Sequence, residues 1–152
     1  MKYVFYITFG LLSYSSVAQV QIDDPLSDPI QPPQAWTPSN IQWDTTFADG
    51  SKLAILEGRR DVPGEPFTYA FYLPDGRWVA PHWHCADARV FVATGTILLG
   101  YGEQMDQQRI RTYGPGSYLL VPYKVAHYEG AQGNTIIIGT GVGPWCTYEH
   151  PQ

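Results

Sequence analysis

Charge is scarce in this chain. Asp, Glu, Lys and Arg make up 15% of its 152 residues, well under the share of roughly a quarter usual in soluble domains. The nine Lys and Arg are scattered, Arg59-Arg60 being the only adjacent pair, and the formal net charge is −5. Nucleic acids and anionic membrane surfaces call for clustered cations, so the composition argues against both as partners. Other things are missing too. There is no amphipathic helix of useful length, no tandem repeat, no Ser/His/Asp triad, no P-loop and no dinucleotide fingerprint. The Gly-rich stretches lack a following helix that could cradle phosphate. A small, neutral or weakly charged molecule is the expected partner.

Long apolar runs are nearly absent as well. The one at residues 3–17 follows Lys2 and is broken by Gly10 and several Ser, which makes it short for a bilayer span. Ser16-Val17-Ala18 places small residues where a signal peptidase reads, leaving Gln19 as the new N-terminus. Residues 1–18 are therefore expected to be a signal peptide, and the mature chain to be exported, periplasmic or secreted. No second run approaches membrane length, so the mature protein is expected off the membrane. Cysteine is limited to Cys85 and Cys146. In an oxidising compartment they are a disulfide candidate, although Cys85, beside His84, is also a conceivable metal ligand or reactive thiol.

What the chain does have is glycine, proline and aromatics. Fifteen Gly, thirteen Pro, eleven Tyr and five Trp favour short strands and tight turns. Pro and Asp crowd residues 19–40, which read as a linker ahead of a domain at residues 41–152. β-like runs then follow at residues 52–56, 67–73, 90–99, 118–121 and 135–138, with Gly or Pro at the junctions. That spacing predicts an all-β sandwich or barrel. Residues 130–133 read as a loop before the final strand. Residues 103–111 read as an exposed, mobile connection between two hairpins.

The strongest chemical feature is Pro81-His82-Trp83-His84. On a strand, side chains alternate, so His82 and His84 share a face and Trp83 takes the other. Two imidazoles on one face can reach one metal ion; packing inside a barrel against backbone partners is the plainer alternative.

The wider spacing resembles the cupin superfamily. Gly76, His82, His84 and Gly95 follow the spacing of its first motif, and Gly116, Pro122 and His127 that of its second. The resemblance covers residues 53–144. Leu53-Ala54-Ile55-Leu56-Glu57-Gly58 and Gly141-Val142-Gly143-Pro144-Trp145 look like small exported cupins of unassigned role. It implies an antiparallel jelly-roll β-barrel, pairing of two such barrels as a homodimer, and one divalent transition metal bound by His82, His84 and His127. Fe, Mn, Ni, Cu and Zn all accept imidazole, so the ligands do not select among them.

The sequence departs from that pattern at three places. Ala88 stands where the family supplies a Glu ligand, Lys124 where it usually has Gly, and Ala131 where some members have Asn. Loss of the carboxylate leaves three readings open. A neutral three-His face suits a dioxygenase that binds substrate and O₂ together. Another carboxylate could compensate, Glu129 being the natural candidate on the His127 face, although a solvated residue at a strand end is its ordinary reading. Or the barrel is a non-catalytic binder of a small ligand or metal. A cofactor-free isomerase with one His as base is a poorer fit, since one base does not need three imidazoles. Tyr69, Phe71 and Tyr118 are expected to line a substrate pocket. Arg89 is expected on the surface, and His150, in the extreme tail, away from the site.

Overall fold

The computed structural model describes residues 34–149. The leader expected at residues 1–18, most of the linker at 19–40, and His150 lie outside the described residues. From Ile41, which is buried, the chain is built of strands joined by turns and short connections.

Nine antiparallel strands form one curled sheet: β1 (Thr45–Thr46), β2 (Lys52–Gly58), β3 (Pro66–Leu73), β4 (Trp78–His84), β5 (Ala88–Tyr101), β6 (Arg111–Tyr113), β7 (Tyr118–Val121), β8 (His127–Val142) and β9 (Thr147–Glu149). A 3₁₀ turn, Gln107–Arg109, sits between β5 and β6. This is an all-β barrel, as the turn spacing predicted, in the antiparallel jelly-roll form that the resemblance implied.

The sixteen-residue β8 is its spine. One edge of β8 pairs with β5 from Arg89↔Thr140 to Tyr101↔His127. The other edge pairs first with β4, through His82↔His127 and Val79↔Glu129, and then with β3, from Leu73↔Thr135 to Pro66↔Val142. Two interior clusters result. The larger gathers Ala88, Val90 and Val92 of β5, Leu119 and Val121 of β7, and Ile137 of β8. The smaller holds Ile41, Ala54, Ala70 and Ile136. Alternation decides who is inside: β5 runs buried–exposed from Ala88 to Ala93, and β7 is buried at Leu119 and Val121 and exposed at Tyr118 and Leu120.

Two expectations need correction. Residues 130–133 are not a loop but the middle of β8, pairing with β5 through Leu98↔Gly130, Ile97↔Ala131 and Thr96↔Gln132. Here glycine marks close approach and bulging. The Trp78 ring lies where a Cβ on Gly130 would point, 2.6 Å away, and Gly95, at φ +68°, sits in the facing bulge of β5. The stretch 103–111 is exposed, as expected, but tied at its middle. The Tyr128 hydroxyl donates to the Asp106 carbonyl (2.8 Å) and accepts from the Asp106 N–H (3.0 Å).

Candidate metal centre

β4 delivers His82 and His84 to one face. Trp83 takes the other, where it stacks on Tyr148 of β9 with ring centroids 4.3 Å apart. β8 begins at His127, directly opposite His82 in the ladder. The three rings converge: centroids are 4.2 Å apart for His82–His127, 4.9 Å for His82–His84 and 5.1 Å for His84–His127. One ligand atom from each lies within 4.8 Å of the others. His82 and His127 are buried and His84 partly so.

Hydrogen bonds fix which nitrogen faces the centre. Nδ1 of His82 lies 2.9 Å from the carbonyl of Ala80, and Nδ1 of His127 lies 3.0 Å from that of Val125. A carbonyl only accepts, so in both rings Nδ1 carries the proton and Nε2 presents a lone pair. Nδ1 of His84 is 3.1 Å from the Thr147 hydroxyl on β9. Burial, then the neighbouring His127 and His82, pull His84 down to about 3. Burial, then His82, pulls His127 down to about 4. Both are neutral at pH 7, the form a metal requires.

Glu129 is not the solvated strand-end residue of its ordinary reading. It lies on β8 between β4 and β5, paired with Val79 and Leu99. Its side chain is 13% exposed, with Oε2 3.8 Å from His82 Nε2 and 3.9 Å from His127 Nε2. Those distances exceed a hydrogen bond, and the buried Oε2 has no partner. Burial raises the carboxyl above its ordinary value, with His82 pulling partly back. A buried carboxylate oxygen without a donor is costly, and a cation at the histidine cluster would meet it. The residues present therefore fit a divalent metal.

Ala88 is in the barrel interior, as alternation requires. Its methyl borders a hollow of about 40 Å³ together with His84, His127 and Glu129. Asp87 instead caps the next turn, accepting the Tyr123 N–H at 2.8 Å and pairing with the exposed Arg89 at 3.6 Å. Lys124 has φ +59°, the only non-glycine at positive φ among the described residues. Its N–H donates to the His84 carbonyl at 3.0 Å. A glycine at this position would adopt the same turn without strain.

A cavity of about 480 Å³ opens from His82, His84 and Glu129. Tyr69 and Phe71 line it, joined by Val79, Ile137 and Trp145. Burial, and then the charge of Glu129, raise the Tyr69 hydroxyl above its ordinary range. Tyr118 does not belong there. It is 52% exposed and packs on Phe91, 4.9 Å between centroids; parity with the buried Leu119 puts it on the outer face. Sequence reasoning missed four residues. Trp145 lies against His84 at 4.4 Å between centroids, and only its place in a Gly-Pro-Trp motif hinted at it. Thr147 had no signal at all. The Asp49–Arg77 ion pair, 2.7 Å at the cavity wall, joins residues far apart in sequence.

Cys85 and Cys146 form a disulfide with Cα atoms 5.4 Å apart. It ties the end of β4 to the start of β9, beside the His84↔Thr147 pair.

No protein-family model matches the sequence, and no curated protein matches it. Solved structures do. KdgF from Halomonas sp. is 15% identical over 72% of this chain and 94% of its own, with a TM-score of 0.56. The salicylate 1,2-dioxygenase of Pseudoaminobacter salicylatoxidans, solved in complex with gentisate, is 15% identical over 70% of this chain, with a TM-score of 0.58; the match spans 31% of that enzyme. A cupin superfamily protein from Desulfitobacterium hafniense is 14% identical over 60% of this chain and 76% of its own, at 0.50. The domain has the cupin fold, and its three histidines are placed so that one metal ion can be held among them.

Proposed function

We propose that this chain is an exported metal-dependent dioxygenase acting on a small molecule in the 480 Å³ cavity. The observation that carries the reading is the convergence of His82, His84 and His127, two of which, His82 and His84, line that cavity, with the Nε2 lone pairs of His82 and His127 free to face the centre. A redox-capable divalent ion held there supplies Lewis acidity and a path for electrons between a chelating substrate and dioxygen.

The protein's own groups define the rest. Tyr69, Phe71, Val79, Ile137 and Trp145 give an apolar wall that orients a small organic body and excludes water. The Tyr69 hydroxyl stays protonated across the physiological range, available as a donor. A salicylate dioxygenase among the structural neighbours supports the reaction class. The disulfide and the apolar leader followed by Ser16-Val17-Ala18 support export.

The test begins with protein purified without chelators or a histidine tag. Elemental analysis should find one transition metal per chain, and its absence overturns the reading. Oxygen uptake by the iron-loaded protein is then followed across diketones, flavonols and small thiols. Uptake on one class identifies the dioxygenase; bound metal with no uptake places the chain among non-catalytic binders. Cell fractionation and the mass of the processed N-terminus, expected at Gln19, test export.

A further inference from the structure

We propose that Glu129 is the fourth protein ligand of the ion, a carboxylate supplied from β8 in place of the one that residue 88 lacks. This rests on the three-histidine reading and extends it.

The geometry is specific. Glu129 follows His127 by two residues on one strand, so both project to one face, and the pairings Val79↔Glu129 and Leu99↔Glu129 hold its backbone between β4 and β5. Oε2 lies nearly equidistant from two histidine nitrogens, 3.8 Å from His82 and 3.9 Å from His127. Ligand atoms about 2.1 Å from a shared ion stand roughly 3–4 Å from one another, which is the separation seen.

The donor inventory points the same way. Nδ1–H of His82 and of His127 is spent on a backbone carbonyl, so both Nε2 atoms are acceptors. The carboxylate of Glu129 is also acceptor-only, and its Oε2 is the one buried side-chain polar atom without a partner among the described residues. A water molecule has two hydrogens and cannot satisfy three or four converging acceptors. One divalent cation satisfies them all.

Ala88 supplies the complementary observation. Its methyl and the Glu129 side chain border one small hollow with His84 and His127. A carboxylate from β5 and one from β8 would compete for that space. The small residue at 88 and the acid at 129 therefore form one arrangement, in which the carboxylate has moved from one strand to its neighbour.

The experiment uses full-length protein loaded with Co²⁺, whose visible spectrum reports ligand number, and affinity measured by competition with a chromophoric chelator. Glu129→Gln keeps shape and removes the charge. It should weaken Co²⁺ binding at least about tenfold, the lower range for disturbing even a ligand's supporting partner, and change the visible absorption. The double variant Ala88→Glu, Glu129→Ala returns the carboxylate to β5 and should recover most of the affinity. Wild-type affinity and spectrum in Glu129→Gln overturn the assignment of Glu129 while leaving the histidine site intact. Failure of wild-type protein to bind Co²⁺, with His127→Ala indistinguishable from it, overturns the histidine site itself. Should Glu129→Gln fold poorly, the double variant decides: a spectrum unlike wild type with no recovery overturns the proposal.

Discussion

His82 and His127 face each other across the β4–β8 ladder with ring centroids 4.2 Å apart, and each directs its Nδ1 to the backbone carbonyl two residues earlier in the chain. Two strands thus use the same local device to aim Nε2 inward. Replacing either ring by Ala should take metal content from one ion per chain to none, as read by elemental analysis. Metal also stabilises by mass action. At a free concentration a hundred times Kd the gain is about 2.7 kcal/mol, a rise in Tm on the order of 10 °C for a domain of this size. That rise should vanish in His127→Ala and on adding a chelator to the wild type.

Much of this was legible in the sequence because it depends on short spacing. The His82-Trp83-His84 alternation needs only a strand, and the turn residues around it fix where strands end. His127 was legible only through the resemblance, since nothing local says that β8 starts opposite β4. Pairings across distant segments were illegible: Thr147 reaches His84 because β9 adds to the edge of β4, and Glu129 is buried because β8 runs between two strands. Tyr118 was misplaced by counting aromatics instead of following the parity of Leu119 and Val121.

The disulfide should matter to the site as well as to the fold. Cys85 and Cys146 close a stretch with a sequence separation of 61, and removing such a link costs roughly 2–4 kcal/mol. Cys85→Ser with Cys146→Ser should lower the urea midpoint accordingly. It should also weaken metal binding, because Thr147 adjoins Cys146 and its hydroxyl holds His84 Nδ1 at 3.1 Å. Thr147→Val separates the two effects. With the disulfide kept, it should reduce metal affinity about tenfold and leave the urea midpoint of metal-free protein nearly unchanged.

Two positions of positive φ should respond to substitution in opposite directions. Gly95 has φ +68°, and a Cβ there would stand 2.5 Å from the Asn134 carbonyl oxygen and 2.7 Å from the Thr135 Cα. Both are backbone atoms that cannot step aside. Gly95→Ala should therefore destabilise by about 2–4 kcal/mol, combining left-handed strain with overpacking. Lys124 already carries left-handed strain at φ +59°, and Lys124→Gly should stabilise by about 0.5–1 kcal/mol. Urea melts of the two variants check both signs; equal and opposite placement, with Lys124→Gly the weaker protein, would contradict the account.

The pH profile of the metal-free protein follows from three buried groups. His84 and His127 have folded values of about 3 and about 4, below the ordinary 6.5. Between those values and about 6.5 the unfolded chain binds more protons than the folded one, so stability rises with pH across that window. Glu129 acts in the other direction. Its carboxyl is raised above 4.5 by burial, so its contribution is present below that value and is lost as pH climbs through the raised one. Glu129→Gln removes this opposing contribution. In chelator, the variant should show a steeper rise in stability from pH 4.5 to 7 than wild type, and should be the more stable protein at pH 7. With metal added the order reverses, because wild type gains the ion that the variant holds poorly. Urea midpoints at several pH values, with and without metal, measure both halves. A wild type whose stability is flat from pH 4 to 7 in chelator would show that the histidines are not buried in neutral form. A variant no more stable than wild type at pH 7 would show that Glu129 finds a donor when the metal is gone.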